Sequence, residues 1–442
     1  MKKGTLYHWK GILFVVACIS LLYAGSVLGA GFALVEQGVS GLGNAYAGGA
    51  ASAEDASTIF FNPAGMSRLS GHEILIAGHL IMPYANFENR GSTHVTGAPL
   101  SGGDDGNAGD AKIIPNLYYS RKISDRFAVG IGVNTPFGLA TTYSDDWVGR
   151  YHGIKSDLMS ININPSFAYK VTDALSIGAG FSAQYVDAEL SSAVDFGMIG
   201  FSLGIPGLAP QQNDGFFDLK GDSWGVGYNL GLLYEFTENT RVGAAYRSRI
   251  EHTLEGDADF SKVPAPLSSA FRDTGAESDV TLPDSLSISF SHQFHPQWMV
   301  MADFTWTNWS LFDELIVKFD SGQDPNRTIE NWDDSYRYSL GVSYIPDKNW
   351  VLRIGTAYDT SAVSEAKYRT PRIPDGDRIW TALGFGYRIS EIFGFDVAYA
   401  HLFINDPDIN KTATGDDTLR GALKGTYSTH INIVSAQLTM SF

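Results

Sequence analysis

Apolar and polar positions alternate with a period of two along most of this chain. Leu175, Ile177, Ala179, Phe181, Ala183 and Tyr185 alternate with Ser176, Gly178, Gly180, Ser182 and Gln184, which puts every large side chain on one face of a strand. The other face is small and polar. Trp224, Val226, Tyr228, Leu230, Leu232, Tyr234 and Phe236 repeat the pattern, as do Leu286, Ile288, Phe290, His292 and Phe294 against Ser285, Ser287, Ser289 and Ser291. Strands of a soluble sandwich average about 5–6 residues, whereas these runs reach about a dozen, enough for a tilted bilayer crossing of roughly 9–11. Beyond residue 30 no apolar run attains the roughly 18 residues of a helical span, so any membrane crossing is made by strands.

Turn signals set the strand count. Tight turns are predicted at Ser124, Thr172, Thr237, His295, Pro346 and Ser390, and long Gly-, Asp- and Pro-rich connections near residues 90–110, 136–155, 191–220, 253–279, 310–335, 362–378 and 406–428. Six short and seven long connections join fourteen strands. Short turns at one end and long loops at the other are the layout of an outer-membrane barrel, with the short turns on the periplasmic side. Tyr234, Phe236, Phe294, Trp298, Tyr344, Trp350, Tyr387 and Phe393 fall beside the short turns, where an aromatic girdle meets the lipid headgroups. The last strand carries Val434, Ala436, Leu438, Met440 and Phe442 on one face, and its terminal aromatic resembles the signal read by the outer-membrane assembly machinery.

The first seventy residues do not follow this pattern. Residues 1–30 carry Lys2, Lys3 and Lys10, an apolar run and a small-residue close at Gly29 and Ala30, the layout of a secretory signal peptide. Residues 31–71 follow as a separate element ahead of a barrel over residues 72–442. "VSGLGNAYAGGAASAEDAS" is too rich in Gly and Ala for a wall strand, and "EDASTIFFNPAGMSRLSG" reads as two short helical pieces separated at Asn62-Pro63, with Asp55 as a cap. Phe32, Leu34, Ile59, Phe60, Phe61 and Met66 need an apolar partner, which a position inside the barrel or under its mouth supplies and a loose periplasmic tail does not.

Composition narrows the function. Only 18% of residues are charged, against 48 Gly, 21 Tyr, 26 Phe and 9 Trp. The one cysteine, Cys18, lies in the leader, so the mature chain has no thiol for a disulfide. Losing three lysines moves the net charge from −17 to −20, which repels nucleic acid. There is no Gly-x-Ser-x-Gly, no histidine pair at ligand spacing, and no phosphate loop, since "GVGYNLG" lies within a strand. The chain is therefore read as no enzyme, with no cofactor and no metal; "DDGNAGD" from Asp104 is an exposed loop that either holds calcium or is solvated.

"AGFALVEQGVSGLGNAYAG" from Ala30, "DAS", "NPAG" from Asn62, "NTPFGLATTY" from Asn134 and "IPDGDRIW" from Ile373 together resemble the FadL-type long-chain fatty acid and hydrocarbon transporters of the outer membrane. The resemblance runs to Phe442 and implies a fourteen-stranded all-β barrel with an amino-terminal hatch. It also implies that Phe32 inserts at an internal ligand site. Asn62, Pro63 and Ala64 match a segment that contacts a kink in the third strand, through which cargo leaves sideways. In "RFAVGIGVN", Gly130 and Gly132 are the residues able to bend that strand or to relieve crowding.

A carrier for apolar solutes needs a greasy collecting surface outside and an apolar site within. The loop Phe196 to Pro210 places Phe196, Met198, Ile199, Phe201, Leu203, Ile205 and Leu208 toward water, as a collecting groove or a self-packed lid. Arg247 and Arg249 have the inward parity of the seventh strand and either meet a cargo carboxylate or pair with lumen acids. The expected partners are a fatty acid or aromatic hydrocarbon, outer-membrane lipid, and the assembly machinery through Phe442. A general porin or an adhesive barrel is the other reading.

Overall fold

The computed structural model describes residues 31–442; the predicted leader, residues 1–30 with Cys18, lies outside the described residues. Fourteen antiparallel wall strands close on themselves. In chain order the wall consists of β1 (His72–Asn89), β2 (Lys112–Lys122), β3 (Phe127–Asn134) continued by β4 (Gly138–Thr142), β5 (Lys155–Lys170), β6 (Leu175–Asp195) and β7 (Asp214–Thr237). The seventh wall strand is β8 (Thr240–Arg247) plus β9 (Ile250–Ser261), and the eighth is β10 (Thr274–Leu282) plus β11 (Ser285–His295). The ninth is β12 (Trp298–Thr307) with β13 (Glu314–Phe319), and the tenth β14 (Asn326–Ile329) with β15 (Ser335–Asp347). β16 (Trp350–Asp359), β17 (Arg378–Arg388), β18 (Phe393–Ile404), a short edge piece β19 (Asp408–Asn410) and β20 (Lys424–Ser441) complete the circuit. β1 pairs with β20 from Glu73↔Ser441 to Asn89↔Gly425, so the sheet has no free edge there.

The period-two reading maps directly onto the cylinder. Ile177, Phe181, Val226, Leu230, Ile288, Leu340, Ile354, Leu383 and Val434 are exposed on the outside, while Ser176, Ser182, Asn229, Ser289, Ser339 and Ser435 are buried toward the bore. So large an apolar belt on strands, with no helix among the described residues long and apolar enough to cross a membrane, is a lipid-facing surface. At the short-turn end aromatics pair along its margin: Trp298 with Tyr344 at 4.5 Å and Trp350 with Tyr387 at 4.5 Å. Phe442 closes the seam, its backbone exchanging hydrogen bonds with His72 at 2.7 and 2.9 Å.

All six tight turns lie where the sequence places them, but several of the long loops are shorter than read: β4 lies within residues 136–155, and β13 and β14 pair within residues 310–335. β6 and β7 stay paired from Leu175↔Tyr234 out to Asp195↔Asp214, and β9 and β10 pair out to Ala258↔Thr274. The outward positions there change from apolar to Asp187, Glu189, Asp218, Lys220 and Asp222, so the lipid pattern ends while the hydrogen-bond ladder continues. The remaining connections fold over the outer mouth. Tyr143 stacks on Trp147 at 4.0 Å, its hydroxyl donates to the Pro371 carbonyl at 2.8 Å, and Phe87, Tyr151 and Tyr427 join the same cluster.

Residues 31–71 occupy the bore. Short helices at Val39–Leu42, Gly49–Ser52 and Thr58–Phe61 are followed by a 3-10 turn at Pro63–Arg68. Asn62 separates the last two, and its side chain accepts the Ala64 N–H at 3.0 Å, as a cap should. Asp55 serves the preceding helix by accepting the Ser57 N–H at 3.0 Å. The hatch bonds to strands all round the cylinder: Val39 N–H to Gln437, Ala50 N–H to Ser289, the Asn62 amide to the Leu232 carbonyl, and Arg353 to Glu54. Two wall glycines allow that approach. A Cβ at Gly178 would overlap Pro63 and Ala64, and one at Gly243 would overlap the Ala50 carbonyl.

Candidate ligand site and gate

Between the hatch and the wall lies a cavity of about 150 Å³. Leu34, Val35, Phe60, Phe61, Phe137 and Trp380 are its apolar lining, and Ser285, Ser287, Thr305, Arg247, Arg337 and Asp303 its polar lining. Such mixed lining suits an amphiphile or a small apolar ring held by a few polar groups. An apolar cavity of about this size is known to admit benzene, so a long acyl chain fits only if the hatch yields.

Phe32 is inserted into an aromatic cage. Its ring lies 4.7 Å from Trp309, 5.8 Å from Phe312, 5.9 Å from Trp332 and 6.1 Å from Phe137. Three of these partners come from the ninth and tenth wall strands and their loop, hundreds of residues away, and no local pattern announces them. Trp332 is held in turn by Glu330, whose carboxylate accepts the indole N–H at 3.1 Å.

The third wall strand breaks at Thr135-Pro136-Phe137. β2 pairs with β3 only from Lys122↔Ala128 to Leu117↔Val133, which leaves Lys112–Asn116 without a ladder partner on that side. Above the gap the wall closes again through the Gly109↔Thr141 bridge. Pro136 offers no N–H to a sheet, and its carbonyl instead accepts Leu34 N–H at 2.8 Å, while Gly138 N–H donates to the Phe32 carbonyl at 2.9 Å. Ala33 and Phe137 thus face each other in a short antiparallel bridge. The segment carrying Phe32 fills the wall defect from inside.

Of the two readings of Gly130 and Gly132, bending the strand or relieving crowding, the geometry fits the second. Both lie in regular ladder, opposite Ser120 and Tyr118 of β2 and Ser166 and Asn164 of β5. Gly130 leaves room for Ile59 and Met66, and Gly132 for the Tyr118 ring, so they relieve crowding, and the bend lies beyond them at the proline. Asn62, Pro63 and Ala64 do not touch the kink. They seat on Gly178 of β6 and Gly231 of β7.

Arg247 points inward as its parity predicts, stacks 4.1 Å over the Phe60 ring and donates to the Phe60 carbonyl at 2.9 Å. Among the described residues no carboxylate lies within ion-pair distance of it. Arg249 turns outward and pairs with Asp284 at 3.7 Å, because inward positions on this strand run from Arg247 to Ile250, three residues apart instead of two. The extra residue is absorbed at Ser248, which bonds to Tyr228 in place of a regular ladder partner.

Outside, Phe196–Ser202 form a helix capped by Asp195, which accepts the Met198 N–H at 2.7 Å. Phe201 and Leu203 are 60% and 66% exposed, Met198, Ile199 and Ile205 are half-buried, and Phe196 turns inward against Phe271 at 5.0 Å. Phe196 is the helix's anchor and not part of its greasy face. In the "DDGNAGD" loop, Asp105 accepts the Ser144 N–H and Asp110 the Thr142 hydroxyl, so these two carboxylates pin the loop.

Residues 20–442 match the family described as "Outer membrane protein transport protein (OMPP1/FadL/TodX)". The long-chain fatty acid transport protein of Escherichia coli O6:H1 is 32% identical over 91% of this chain and 92% of its own length. Outer membrane protein P1 of Haemophilus influenzae is 32% identical over 97% and 98%. Among solved structures, a FadL homologue of Pseudomonas aeruginosa superposes with a TM-score of 0.87 at 24% identity, covering 93% of this chain and all of that one. The toluene transporter TodX of P. putida gives 0.69 at 20% identity, over 91% and 97%. A closed, lipid-belted barrel whose bore is filled by its own leading segment, matched end to end by these relatives, is that of a transporter and not an enzyme: the chain belongs to the OMPP1/FadL/TodX family of bacterial outer-membrane transport proteins.

Proposed function

We propose that this protein is a passive channel for long-chain fatty acids or related hydrocarbons, gated by the hatch and discharging sideways through the gap beside the third wall strand. The observation that carries the reading is the bridge of Ala33 to Phe137, which couples the ligand cavity, the Phe32 cage and the wall defect in one short stretch. Cargo gathers on the exposed face of Phe201 and Leu203, with Met198, Ile199 and Ile205 at its margin, then passes to the cavity and displaces Phe32. Withdrawing residues 32–34 removes both hydrogen bonds that fill the kink and opens a path to the bilayer. Arg247, a lumen cation with no acid beside it, offers the carboxylate partner that an ionised fatty acid needs. The names of the E. coli and P. putida relatives support cargoes of these two kinds. A general porin would need a water-filled constriction where this chain has a packed plug. Phe442, exposed at the end of the closing strand, is the proposed contact for the assembly machinery.

The test uses the absence of cysteine after residue 18. Ala33 and Phe137 form a non-hydrogen-bonded pair, whose Cα atoms lie about 4.5 Å apart in such ladders, a spacing a disulfide spans. Cells carrying the A33C/F137C variant are expected to take up labelled oleate slowly when oxidised and to recover on reduction. Equal uptake in both states would exclude a gate at this bridge.

A further inference from the structure

Glu36 stands between the cavity and the gap. Its carbonyl accepts the Asn116 amide at 2.9 Å from the unpaired stretch of β2, and its side chain lines the cavity at 4% exposure. The chain around it is pinned: Gln37 donates to the Leu34 and Thr135 carbonyls at 3.0 and 2.7 Å, and Leu34 to Pro136. The Glu36 carboxylate is held only by backbone groups, those of Glu36 itself and Val35, and among the described residues no side chain hydrogen-bonds to it.

Other buried acids of the bore have further partners, Glu73 the Ser441 hydroxyl among them. Asp55 is held by Ser40 and Gln437, Glu73 by the Ala56 N–H, Asp303 by Ser287, Thr305 and Arg337, and Asp396 by Arg353. The charged groups acting on Glu36 are Arg337 and Arg378, both already engaged, the first with Asp303 and the second with Asp375 and Asp359. A buried carboxylate served by backbone groups alone keeps accepting capacity unused, and a site that leaves it lining a ligand cavity fits a ligand that completes it. Burial pushes the Glu36 carboxyl up to about 7, which leaves both its forms accessible near neutrality.

We propose that Glu36 is a specificity residue of the lumen site, selecting cargo whose polar end is neutral and donates a hydrogen bond: an alkanol, or a fatty acid in its protonated form. The inference rests on the reading of the cavity as the ligand site. Arg247 and Glu36 then sort two forms of one cargo, the ionised acid at the guanidinium and the neutral one beside the gap, where it faces lipid.

Competition against labelled oleate on the purified, detergent-solubilised protein tests this, using 1-dodecanol and dodecyl methyl ether, which differ in the donor. The wild type is expected to bind the alcohol about tenfold more tightly than the ether, the contribution of one hydrogen bond to a charged group. Glu36→Leu should erase that ratio while leaving ether affinity and the melting temperature undiminished. Equal affinities in the wild type, or a ratio unchanged in E36L, would overturn the assignment. If neither compound displaces oleate, the cavity is not the ligand site, and the assignment falls with it.

Discussion

The amide of Leu34 donates to the carbonyl of Pro136 at 2.8 Å, so a residue of the hatch completes the wall strand that the proline interrupts. A wall defect and its cover are thereby one structure. Shortening the cover should expose the defect: deleting residues 31–36 is expected to raise small-solute conductance in planar bilayers while the barrel still resists unfolding in cold detergent. Unchanged conductance would mean that the rest of the hatch seals the bore alone.

Phe32 is the side chain on which that cover is fastened. Truncating a buried aromatic removes about 3–5 kcal/mol of packing. Phe32→Ala should therefore release the leading segment, with brief openings in single-channel recordings and faster proteolysis near residue 32. Phe32→Trp, too large for a cage already closed by Trp309 and Trp332, should behave similarly.

The carboxylate-binding role proposed for Arg247 predicts that it separates cargo chemistries. Losing a charge-assisted hydrogen bond is worth roughly 1.5–3 kcal/mol, so Arg247→Met should weaken oleate binding by tenfold or more and leave toluene affinity within about twofold. A parallel loss for both ligands would assign Arg247 to holding Phe60 alone.

The outer loops contain two buried groups with opposite responses to pH. Burial pushes His152 down to about 4 and Glu330 up to about 7. His152 stabilises the closed loops above its ordinary 6.5, and that contribution is lost as pH falls toward 4. Glu330 has the reverse slope: its contribution is whole below 4.5 and is lost as pH rises through 7. Between those limits the two largely offset each other. Glu330→Gln leaves the histidine unopposed, and the protection factors of amides over residues 143–154, corrected for the intrinsic pH dependence of exchange, should then fall by up to about tenfold per pH unit as pH drops from 6.5 toward 4, beyond the wild-type change.

Seating of the hatch can be tested from the wall side. Gly178→Val puts a branched side chain where Pro63 and Ala64 lie, and Gly243→Val does so at the Ala50 carbonyl. Both should unseat the hatch without opening the barrel, seen as increased leak with an unaltered heat-modifiable band on gels.

Much of this fold was legible from the alternation itself. The runs at Leu175–Tyr185 and Trp224–Phe236 name their lipid faces because burial in a single-walled cylinder follows side-chain parity alone. That logic fails where the wall is irregular. Arg249 leaves the bore because of one extra residue at Ser248, and the glycines of the third strand do not by themselves mark its bend, which lies at Pro136, unable to donate within a sheet. Outward charges such as Asp187 and Asp222 concealed strands that continue past the membrane. The Phe32 cage and the place of Glu36 at the cavity depend on contacts between remote segments, which no single stretch records.

Gly178 and Gly243 bring the plug's main chain, not its side chains, against the cylinder. At those two seats the plug's height is consequently set by bare backbone, whatever side chains flank it, while Phe32, Glu54, Asp55 and Asn62 fasten it elsewhere. A substitution that changes the surface a passing molecule meets, away from those anchors, can thus leave the stopper where it is.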